Sequence, residues 1–319
     1  MNDLIKAIEA AQTIAIGGHI RPDGDAIGSC MGLYGYIEDN YPQKQVTVYL
    51  EEIPQAFHYL RREEAYEEKC QLSKQEIYDL FVVLDCGDAD RLGPVEEIMR
   101  SAGQTICIDH HITNSNFCQT NIVDAKASST AQILYELMED HKISYGVACA
   151  LYTGIIHDTG VFKHSNTSAK TMQIAGALMD KKIPFGQIID GSFYMKTYKQ
   201  LQIMGRCLLE SVRVMEGRVI FSVVKKNIFD LYGAAPSDLD GIIDELRTTE
   251  GVEVAILLSE RVPGEFKVSM RANDKVDVSR ICAYFGGGGH VKAAGCTIKG
   301  AAFDVINNLT LHIEKQLDK

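Results

Sequence analysis

The sequence contains no tryptophan and only 7 prolines in 319 residues, and it has no long apolar run. A transmembrane helix needs roughly 20 consecutive apolar residues, so a membrane span is not indicated. The first residues do not combine a basic segment with an apolar stretch, so a signal peptide is not indicated either. With 46% hydrophobic and 24% charged residues, the composition is typical of a folded globular protein. We expect a cytoplasmic protein with no membrane partner.

The cysteine pattern excludes a zinc knuckle and a disulfide framework. There are 9 cysteines, an odd number, and the closest two in sequence are Cys107 and Cys118, so no CxxC pair exists. Small zinc-binding modules require such closely spaced pairs, and disulfide-rich secreted domains have dense, usually even cysteine sets. Reduced thiols in a cytosol are the simplest reading.

Excess positive charge is also absent. The formal net charge is −11, and the acidic excess lies within residues 1–190, while residues 191–319 are close to neutral. Proteins that hold long nucleic acids neutralise many phosphates with lysine and arginine. The charge therefore argues against long duplex nucleic acid as a partner.

The length of 319 residues predicts two domains, because single cores stop growing near roughly 250–300 residues. The first half alternates short apolar runs rich in β-branched residues with helical patterns. This alternation predicts an α/β domain with a doubly wound, mostly parallel sheet. The predicted strands are 13–16, 45–50, 80–84 and 105–108, and the predicted helices are 26–38, 94–101, 129–139, 146–157 and 169–180.

The second half has a different pattern. Residues 185–211 form one long helical pattern without strand signals, which we interpret as a linker. Two hairpins, around Glu216-Gly217 and around Pro263-Gly264, then alternate with helical patterns at 238–248, 278–285 and 303–317. We expect a catalytic domain at 1–185, a helical linker at 186–211 and a smaller α+β domain at 212–319.

Histidines and carboxylates cluster just after predicted strands or at the end of a helix behind them. The clusters are His19, Asp23 and Asp25; Asp85, Asp88 and Asp90; Asp109, His110 and His111; and His157 and Asp158. One such cluster is more often turn chemistry or a helix cap. Four such clusters are hard to explain as turns or helix caps. In a doubly wound sheet they converge on one edge, where unpaired carboxylates repel each other. A bound cation would remove this repulsion.

The residue types narrow the choice of metal. Histidine and aspartate without cysteine favour Mn²⁺, Mg²⁺ or Co²⁺ over structural zinc. There are more candidate ligands than one ion needs, which suggests two ions bridged by a carboxylate. Such a pair can activate water and neutralise a phosphoryl group, so the residues predict a two-metal phosphoesterase.

The ordered motifs resemble those of the DHH phosphoesterase superfamily. They are His19-x-x-Pro22-Asp23-x-Asp25-Ala26-x-Gly28-Ser29, Asp85, Asp109-His110-His111, and Asp158-Thr159-Gly160. The segment from Phe285 through four glycines to His290, followed by Ala293-Ala294-Gly295, resembles the DHH-associated C-terminal domain. Length and layout are similar to the NrnA-like branch of oligoribonucleases and pAp phosphatases. RecJ exonucleases are usually larger, and family II pyrophosphatases lack the glycine segment.

The resemblance implies a role for each motif residue. His19 and Asp23 would hold one metal ion, Asp25 and His110 the second, Asp85 would bridge them, and Asp158 would complete the set. His111 would face the substrate phosphate, and Asp109 would fix a histidine tautomer. The residues Asp85, Asp109 and His111 are thus the expected catalytic group.

The glycine run is the main candidate for substrate binding in the second domain. Backbone N–H groups of Gly287, Gly288 and Gly289 can approach a phosphate closely, and a helix starting after the run would add positive potential. A bare glycine run is usually a flexible turn, but here small residues continue past it, as close packing would need. On the residues alone, an ordinary surface position is about as good an interpretation of Arg271 as contact with a phosphate. The resemblance favours contact of His290 and Arg271 with a phosphate or a base.

We therefore expect hydrolysis of short RNA or DNA oligonucleotides, of linear dinucleotides or of a 3′,5′-bisphosphate such as pAp, bound in a cleft between the domains. An inorganic pyrophosphatase is the first alternative, and the glycine segment argues against it. A nucleotide-binding regulatory protein without turnover is the second, and the six retained ligands argue against it. A homodimer, the preferred substrate, the cleavage polarity, and the roles of Arg91 and His157 stay open.

Overall fold

The structure is a computed structural model that describes residues 2–61, 66–67 and 77–317, so Cys70 lies outside the described residues. The chain divides into two compact units, Met1–Met195 and Lys196–Lys319. None of the helices within the described ranges combines the length and the apolar character needed to cross a bilayer. All eight described cysteines are free thiols.

The first unit is built on a six-stranded sheet in which every neighbouring pair is parallel. Its strands are β1 (Thr13–Gly17), β2 (Gln45–Tyr49), β3 (Tyr66–Glu67), β4 (Leu80–Leu84), β5 (Gln104–Asp109) and β6 (Thr120–Val123). Their order is β3-β2-β1-β4-β5-β6. The prediction of a doubly wound parallel sheet is confirmed. The short edge strands β3 and β6 were not predicted; β6 lacks the continuous apolar run that marks a central strand.

Helices cover both faces of this sheet. They are α1 (Asp3–Ala10), α2 (Gly24–Asn40), α3 (Glu96–Ser101), α4 (Thr130–Leu137), α5 (Tyr145–Asp158), α6 (Ala169–Asp180) and α7 (Phe185–Ile189). The sheet therefore has a hydrophobic core on each face. In strand β4, Val82 packs into one of these cores and Val83 into the other. Its five residues are all buried, as a central parallel strand requires.

Helices α2 and α5 pack against each other at backbone distance. A Cβ built on Gly28 would lie 2.5 Å from the carbonyl oxygen of Ala150 and 2.7 Å from the amide nitrogen of Gly154. A Cβ on Gly154 would lie 2.5 Å from Oδ1 of Asp25. Glycine is therefore required at both positions for the approach that brings Asp25 near the end of α5.

The predicted continuous helix over 185–211 is wrong. Helix α7 passes into a π-helical turn, Asp190–Tyr194, and a new helix, α8 (Tyr198–Leu209), begins after a break. Thr197 caps α8, since its side chain accepts from the Gln200 amide while the Gln200 side chain accepts from the Thr197 amide. This capping box starts a helix instead of continuing one.

The second unit contains a mixed six-stranded sheet in the order β11-β12-β10-β9-β8-β7. Its strands are β7 (Val212–Val214), β8 (Val219–Val224), β9 (Val254–Val262), β10 (Glu265–Ala272), β11 (Gly288–His290) and β12 (Ala293–Lys299). Its further helices are α9 (Lys226–Tyr232), α10 (Ile242–Arg247), α11 (Val278–Tyr284) and α12 (Ala302–Leu317). Only the β8–β9 pair is parallel.

Two expectations for the second unit need correction. The helix predicted at 238–248 begins later, because Gly241 is left-handed with φ 85° and separates a 3₁₀ turn from α10. The glycine run leads into strand β11 and not into a helix, so a helix N-terminus does not add positive potential behind it. Helix α9 was not predicted.

We predict that Gly28→Ala lowers the free energy of unfolding by about 1–3 kcal/mol, because a methyl group does not fit between α2 and α5. Urea denaturation of the metal-free protein measures this. Gly176→Ala is the matched control: Gly176 is exposed in α6 with no atom within 4 Å of the added Cβ. That change should stabilise by about 0.5–1 kcal/mol. Equal effects of the two changes would contradict the packing argument.

Candidate metal centre

The topology explains why the candidate ligands meet. Strands β1 and β4 are neighbours at the point where the strand order reverses, and ligands bind beyond the carboxyl ends of strands at such a point. His19 follows β1, Asp85 follows β4, His110 follows β5, and Asp158 is the last residue of α5. Histidine nitrogens and carboxylate oxygens from these segments form three overlapping groups, each within 4.8 Å.

The first group contains His19, Asp23 and Asp85. Nε2 of His19 lies 3.7 Å from Oδ2 of Asp23 and 3.7 Å from Oδ2 of Asp85. Asp23 is the N-cap of α2, and its Oδ1 accepts from the amides of Asp25 and Ala26 at 3.1 Å each. The cap holds one carboxylate oxygen in place, and the other oxygen faces the histidine.

The second group contains Asp25, His110 and Asp158. Nε2 of His110 lies 2.9 Å from Oδ2 of Asp158. Asp25 is fully buried, and its two oxygens accept from the amides of Thr130 at 2.6 Å and Ala131 at 3.0 Å. The N-terminus of α4 therefore orients this buried carboxylate. A helix N-terminus carries a partial positive charge, so it also stabilises the negative charge of Asp25.

Asp85 belongs to both sides of the cluster. Its Oδ2 faces His19, while its Oδ1 lies 3.6 Å from Nε2 of His110 and accepts from the hydroxyl of Thr130 at 3.1 Å. Its backbone is left-handed, with φ 56°, a conformation that aspartate tolerates and most residues avoid. A carboxylate with one oxygen toward each group has the arrangement that a bridging ligand needs.

Several candidate ligands have shifted pKa values, and a bound cation would replace the protons that these shifts retain. Burial raises the pKa of Asp25 well above its usual value, and the charges of Asp85 and Asp158 add to this. Burial opposes a charged His19, but hydrogen bonds with Asp23 and Asp85 outweigh it and raise the pKa to about 10. His110 behaves in the same way beside Asp158, with its pKa raised to about 9.

The shifted pKa values of Asp25, His19 and His110 all follow from burial among crowded carboxylates. Without metal, the histidines retain protons because they are surrounded by carboxylates. The donor set, which is oxygen and imidazole nitrogen without sulfur, fits hard or borderline divalent cations. Divalent cations would supply the missing positive charge and release these protons.

Asp109 and His111 form a hydrogen-bonded pair at the edge of the cluster, where His111 belongs with Asp85 and His110 to the third group. Oδ1 of Asp109 lies 2.7 Å from Nδ1 of His111, and Oδ2 accepts from the side-chain amide of Asn114 at 2.7 Å. Burial by itself would raise the pKa of Asp109, but the hydrogen bonds with His111 and Asn114 outweigh burial and lower this pKa. The bond to Asp109 raises the pKa of His111 and leaves its Nε2 available. The sequence pattern did not reveal Asn114, because loop asparagines are common.

Four residues of the acidic clusters or near them have other positions. Asp88, Asp90 and Arg91 are exposed and belong to none of the three ligand groups among the described residues. His157 also belongs to none of them; its ring packs 4.9 Å from the ring of Phe57, and burial lowers its pKa to about 4.

In the second unit, the strand register places His290 and Arg271 in one row. His290 on β11 pairs with Ala293 on β12, and Ala293 pairs with Arg271 on β10. Directly paired residues share a face, so the two side chains flank a small alanine at two strand spacings, roughly 9–10 Å. Nε of Arg271 lies 3.6 Å from Oδ1 of Asp244.

The three central glycines differ in what they do. A Cβ on Gly287 would lie 2.2 Å from the carbonyl oxygen of Gly295, and one on Gly289 would lie 2.5 Å from that of Ala293, so both permit close strand pairing. A Cβ on Gly288 would meet nothing within 4 Å. Gly288 therefore leaves open space on the face that carries His290.

A polar cavity of about 430 Å³ lies on the same face as Arg271. Its basic and hydroxyl side chains come from β9, from β10 and from the 3₁₀ turn Pro236–Leu239 that precedes α10. They are Arg261, Lys267, Arg271, Ser237, Ser259 and Ser269. The alternation along β10 puts Lys267 and Ser269 on the same face as Arg271, a signal that could have been read from the period of two but was missed.

Comparisons with known proteins agree with this architecture. The sequence model described as "DHH family, N-terminal domain" matches residues 13–155, and the DHHA1 domain matches residues 217–316. A bifunctional oligoribonuclease and PAP phosphatase NrnA from Thermus thermophilus is 30% identical over 95% of this chain and 88% of its own length. The chain therefore belongs to the DHH family of phosphoesterases, with a DHHA1 domain in the NrnA-like arrangement.

Two further relatives support the same assignment. A Bacillus subtilis protein, also named bifunctional oligoribonuclease and PAP phosphatase NrnA, is 26% identical over 93% of this chain and 92% of its own length. The crystal structure of an exopolyphosphatase-related protein from Bacteroides fragilis superposes with a TM-score of 0.85 at 25% identity, covering 98% of this chain and 94% of that one. The predictions of a DHH-family hydrolase and of dependence on divalent metal are confirmed.

We predict that removing metal makes the stability of the protein depend on pH in a defined direction. A histidine with a pKa of about 9 or 10 in the folded state and 6.5 unfolded stabilises below pH 6.5, and this stability is lost as the pH rises toward 10. Thermal unfolding of chelator-treated protein should show a falling Tm between pH 6.5 and 10.

Added Mn²⁺, at one fixed concentration that is a hundredfold above its Kd at pH 8.5, should raise the Tm by roughly 5–10 °C at pH 8.5 and by less at pH 6.5. The same scan with K⁺ at equal ionic strength is the control. A metal-dependent rise that is independent of pH would contradict the competition between protons and cations.

Proposed function

We propose that this protein is a two-metal phosphoesterase that hydrolyses short oligonucleotides, linear dinucleotides and 3′,5′-bisphosphates such as pAp to mononucleotides. The observation that carries the proposal is the position of Asp85 between two groups of ligands in a DHH-family chain. The relatives named as oligoribonucleases and PAP phosphatases support the substrate class, since they align along more than nine-tenths of the chain.

The residues present fit two divalent ions. His19 and Asp23 would hold one, Asp25, His110 and Asp158 the other, and Asp85 would contribute to both. When bound, the ions supply charge neutralisation at the phosphoryl group and acidify water. We favour Mn²⁺, with Mg²⁺ and Co²⁺ as alternatives, because the donors are oxygens and imidazole nitrogens.

In this proposal, His111 binds the scissile phosphate. Asp109 accepts from its Nδ1, so Nε2 is the atom that points away from the pair. The raised pKa favours the protonated ring, whose Nε2–H can donate to a phosphate oxygen. Asn114 holds the Asp109 carboxylate and keeps this orientation.

The second unit would bind the rest of the substrate. The row of His290 and Arg271, together with Lys267 on the same face of β10, offers cationic and hydrogen-bonding groups for a phosphate or a base. With a net charge of −11 the chain is poorly suited to track a long polyanion, which favours substrates of a few nucleotides.

We also propose a cytoplasmic location, since the eight described cysteines are all free thiols although several lie close together in the cores. A homodimer stays open. The domain limits at 185 and 211 stay a prediction.

Asp85→Asn should abolish hydrolysis while the fold is retained, because asparagine tolerates the left-handed backbone but is a poor bridging ligand. We expect kcat/KM for pApA to fall roughly 100-fold or more, since removing residues that only orient metal ligands already costs about 10–100-fold. Elemental analysis should show a lower metal content. Asp90→Asn, an exposed change in the same loop, is the control. Retained metal and activity in Asp85→Asn would refute the bridging role.

Arg271→Ala and His290→Ala should impair substrate binding and leave the metal centre intact. Loss of a charge-assisted hydrogen bond costs about 1.5–3 kcal/mol, so KM for pApA should rise roughly 10- to 150-fold. Metal content should not change. A smaller decrease in kcat would follow if distant contacts help to align the reacting phosphate.

The discriminating measurement is a second substrate, bis-p-nitrophenyl phosphate, which is too small to need both units. The variants should cleave it almost as well as the wild type. Lys299→Ala removes an exposed charge from β12 of the same sheet and serves as the matched control. Equal losses on both substrates would mean that Arg271 and His290 support the fold and not substrate recognition.

A further inference from the structure

An aromatic surface borders the metal centre within the first unit. It consists of His157 at the end of α5 and of Phe193 and Tyr194 in the π-helical turn, and we call these three residues the aromatic step. The rings of His157 and Phe193 are 5.4 Å apart, and those of Phe193 and Tyr194 are 5.1 Å apart at 78°. Phe57 closes the buried side of His157.

The inner residue of the aromatic step, His157, touches the ligand-bearing segments directly. His157 precedes Asp158 in the chain, and its ring occupies the space where a side chain at position 24 would lie: a Cβ on Gly24 would be 2.2 Å from Cγ of His157. Gly24 in turn separates Asp23 from Asp25, one candidate ligand of each ion group. His157 therefore lies beside both groups, and Phe193 and Tyr194 extend outward from it.

Hydrogen bonds hold the step rigidly. The hydroxyl of Ser192 donates to the carbonyl oxygen of Ile188 at 2.7 Å, so Nε2 of His157 donates to the same hydroxyl oxygen at 3.0 Å. The Tyr59 hydroxyl lies 2.6 Å from that of Thr153 and ties a neighbouring segment to α5. π-Helical turns are rare and occur frequently at functional sites.

The outer part of the step is exposed. Phe193 is half-buried, and Tyr194 is 56% exposed, as is the adjoining Met195 at 75%. Burial in the core explains Phe57 and the inner edge of His157, but it does not explain an exposed tyrosine that lies two ring contacts from His157, the neighbour of Asp158 in the chain. Exposed aromatic rings next to a phosphate-binding centre are how proteins bind single-stranded nucleotides, because every base has a face on which a ring can stack.

We propose that Phe193 and Tyr194 form a stacking surface for a nucleobase of the substrate, adjacent to the phosphate at the metal centre. This inference depends on the proposed function and specifies it: the first unit recognises a nucleoside, and not only a phosphate. Base identity would matter little, since stacking needs a ring face and not a particular pattern of hydrogen-bonding groups.

The first test compares pApA with two analogues in which either the first or the second base is absent. Tyr194→Ala should raise KM for pApA roughly 5- to 150-fold. It should leave KM unchanged for the one analogue that lacks the stacked base, and Tyr194→Phe, which keeps the ring, should resemble the wild type on all three. An equal rise on all three substrates would overturn the inference.

A second test uses the absence of tryptophan from the chain. Tyr194→Trp introduces a single fluorophore at the step, and Tyr145→Trp places one at the other end of α5, roughly 20 Å away along the helix. With Mn²⁺ present, AMP should quench the emission of the first variant saturably, ribose 5-phosphate should not, and neither should affect the second. Equal quenching by both compounds would contradict stacking.

The proposed function and the stacking surface can be refuted separately. If the wild type hydrolyses none of the three dinucleotides, the proposed function is wrong. If the wild type hydrolyses pApA normally but Tyr194→Ala has the same kinetics, the function stands and the stacking surface is wrong.

Discussion

Repulsion between aspartates confined at one edge of a parallel sheet is the constraint on which the structure of the first unit depends. Asp25 and Asp85 are almost completely buried, and Asp158 lies against them, an arrangement that costs several kcal/mol per charge unless each carboxylate is paired. Protonated histidines provide the pairing in the absence of metal, as their raised pKa values show. Divalent cations do so more effectively, because one ion can neutralise two carboxylates.

The surrounding helices serve this arrangement. Two backbone amides at the N-terminus of α4 donate hydrogen bonds to the Asp25 carboxylate. The glycines at the α2–α5 contact allow that carboxylate to approach the end of α5. The left-handed backbone at Asp85 is a local strain that the adjoining sheet maintains. Stability and metal binding are thus coupled through the same residues.

The two units differ in the chemistry that they offer a substrate. The first presents carboxylates, His111 and an aromatic step, which suit a phosphate with a base attached. The second presents His290, Arg271 and a polar cavity, which suit a further phosphate or a base. Neither unit contains a long basic surface among its candidate binding residues, and this is consistent with relatives named for oligoribonuclease and PAP phosphatase activity.

The sequence by itself determined the parallel sheet and the set of candidate ligands. Buried strands such as Leu80–Leu84 are continuous apolar runs, and the residues after them must lie at one edge, so His19, Asp85 and His110 could be placed together without coordinates. Only the tertiary structure showed the break at Thr197, the row from His290 to Arg271, the role of Asn114 and the position of His157. These features depend on strand register, on side-chain direction and on contacts between distant segments. Such contacts leave no local periodicity in the chain, because they are selected by packing and not by the preferences of neighbouring residues.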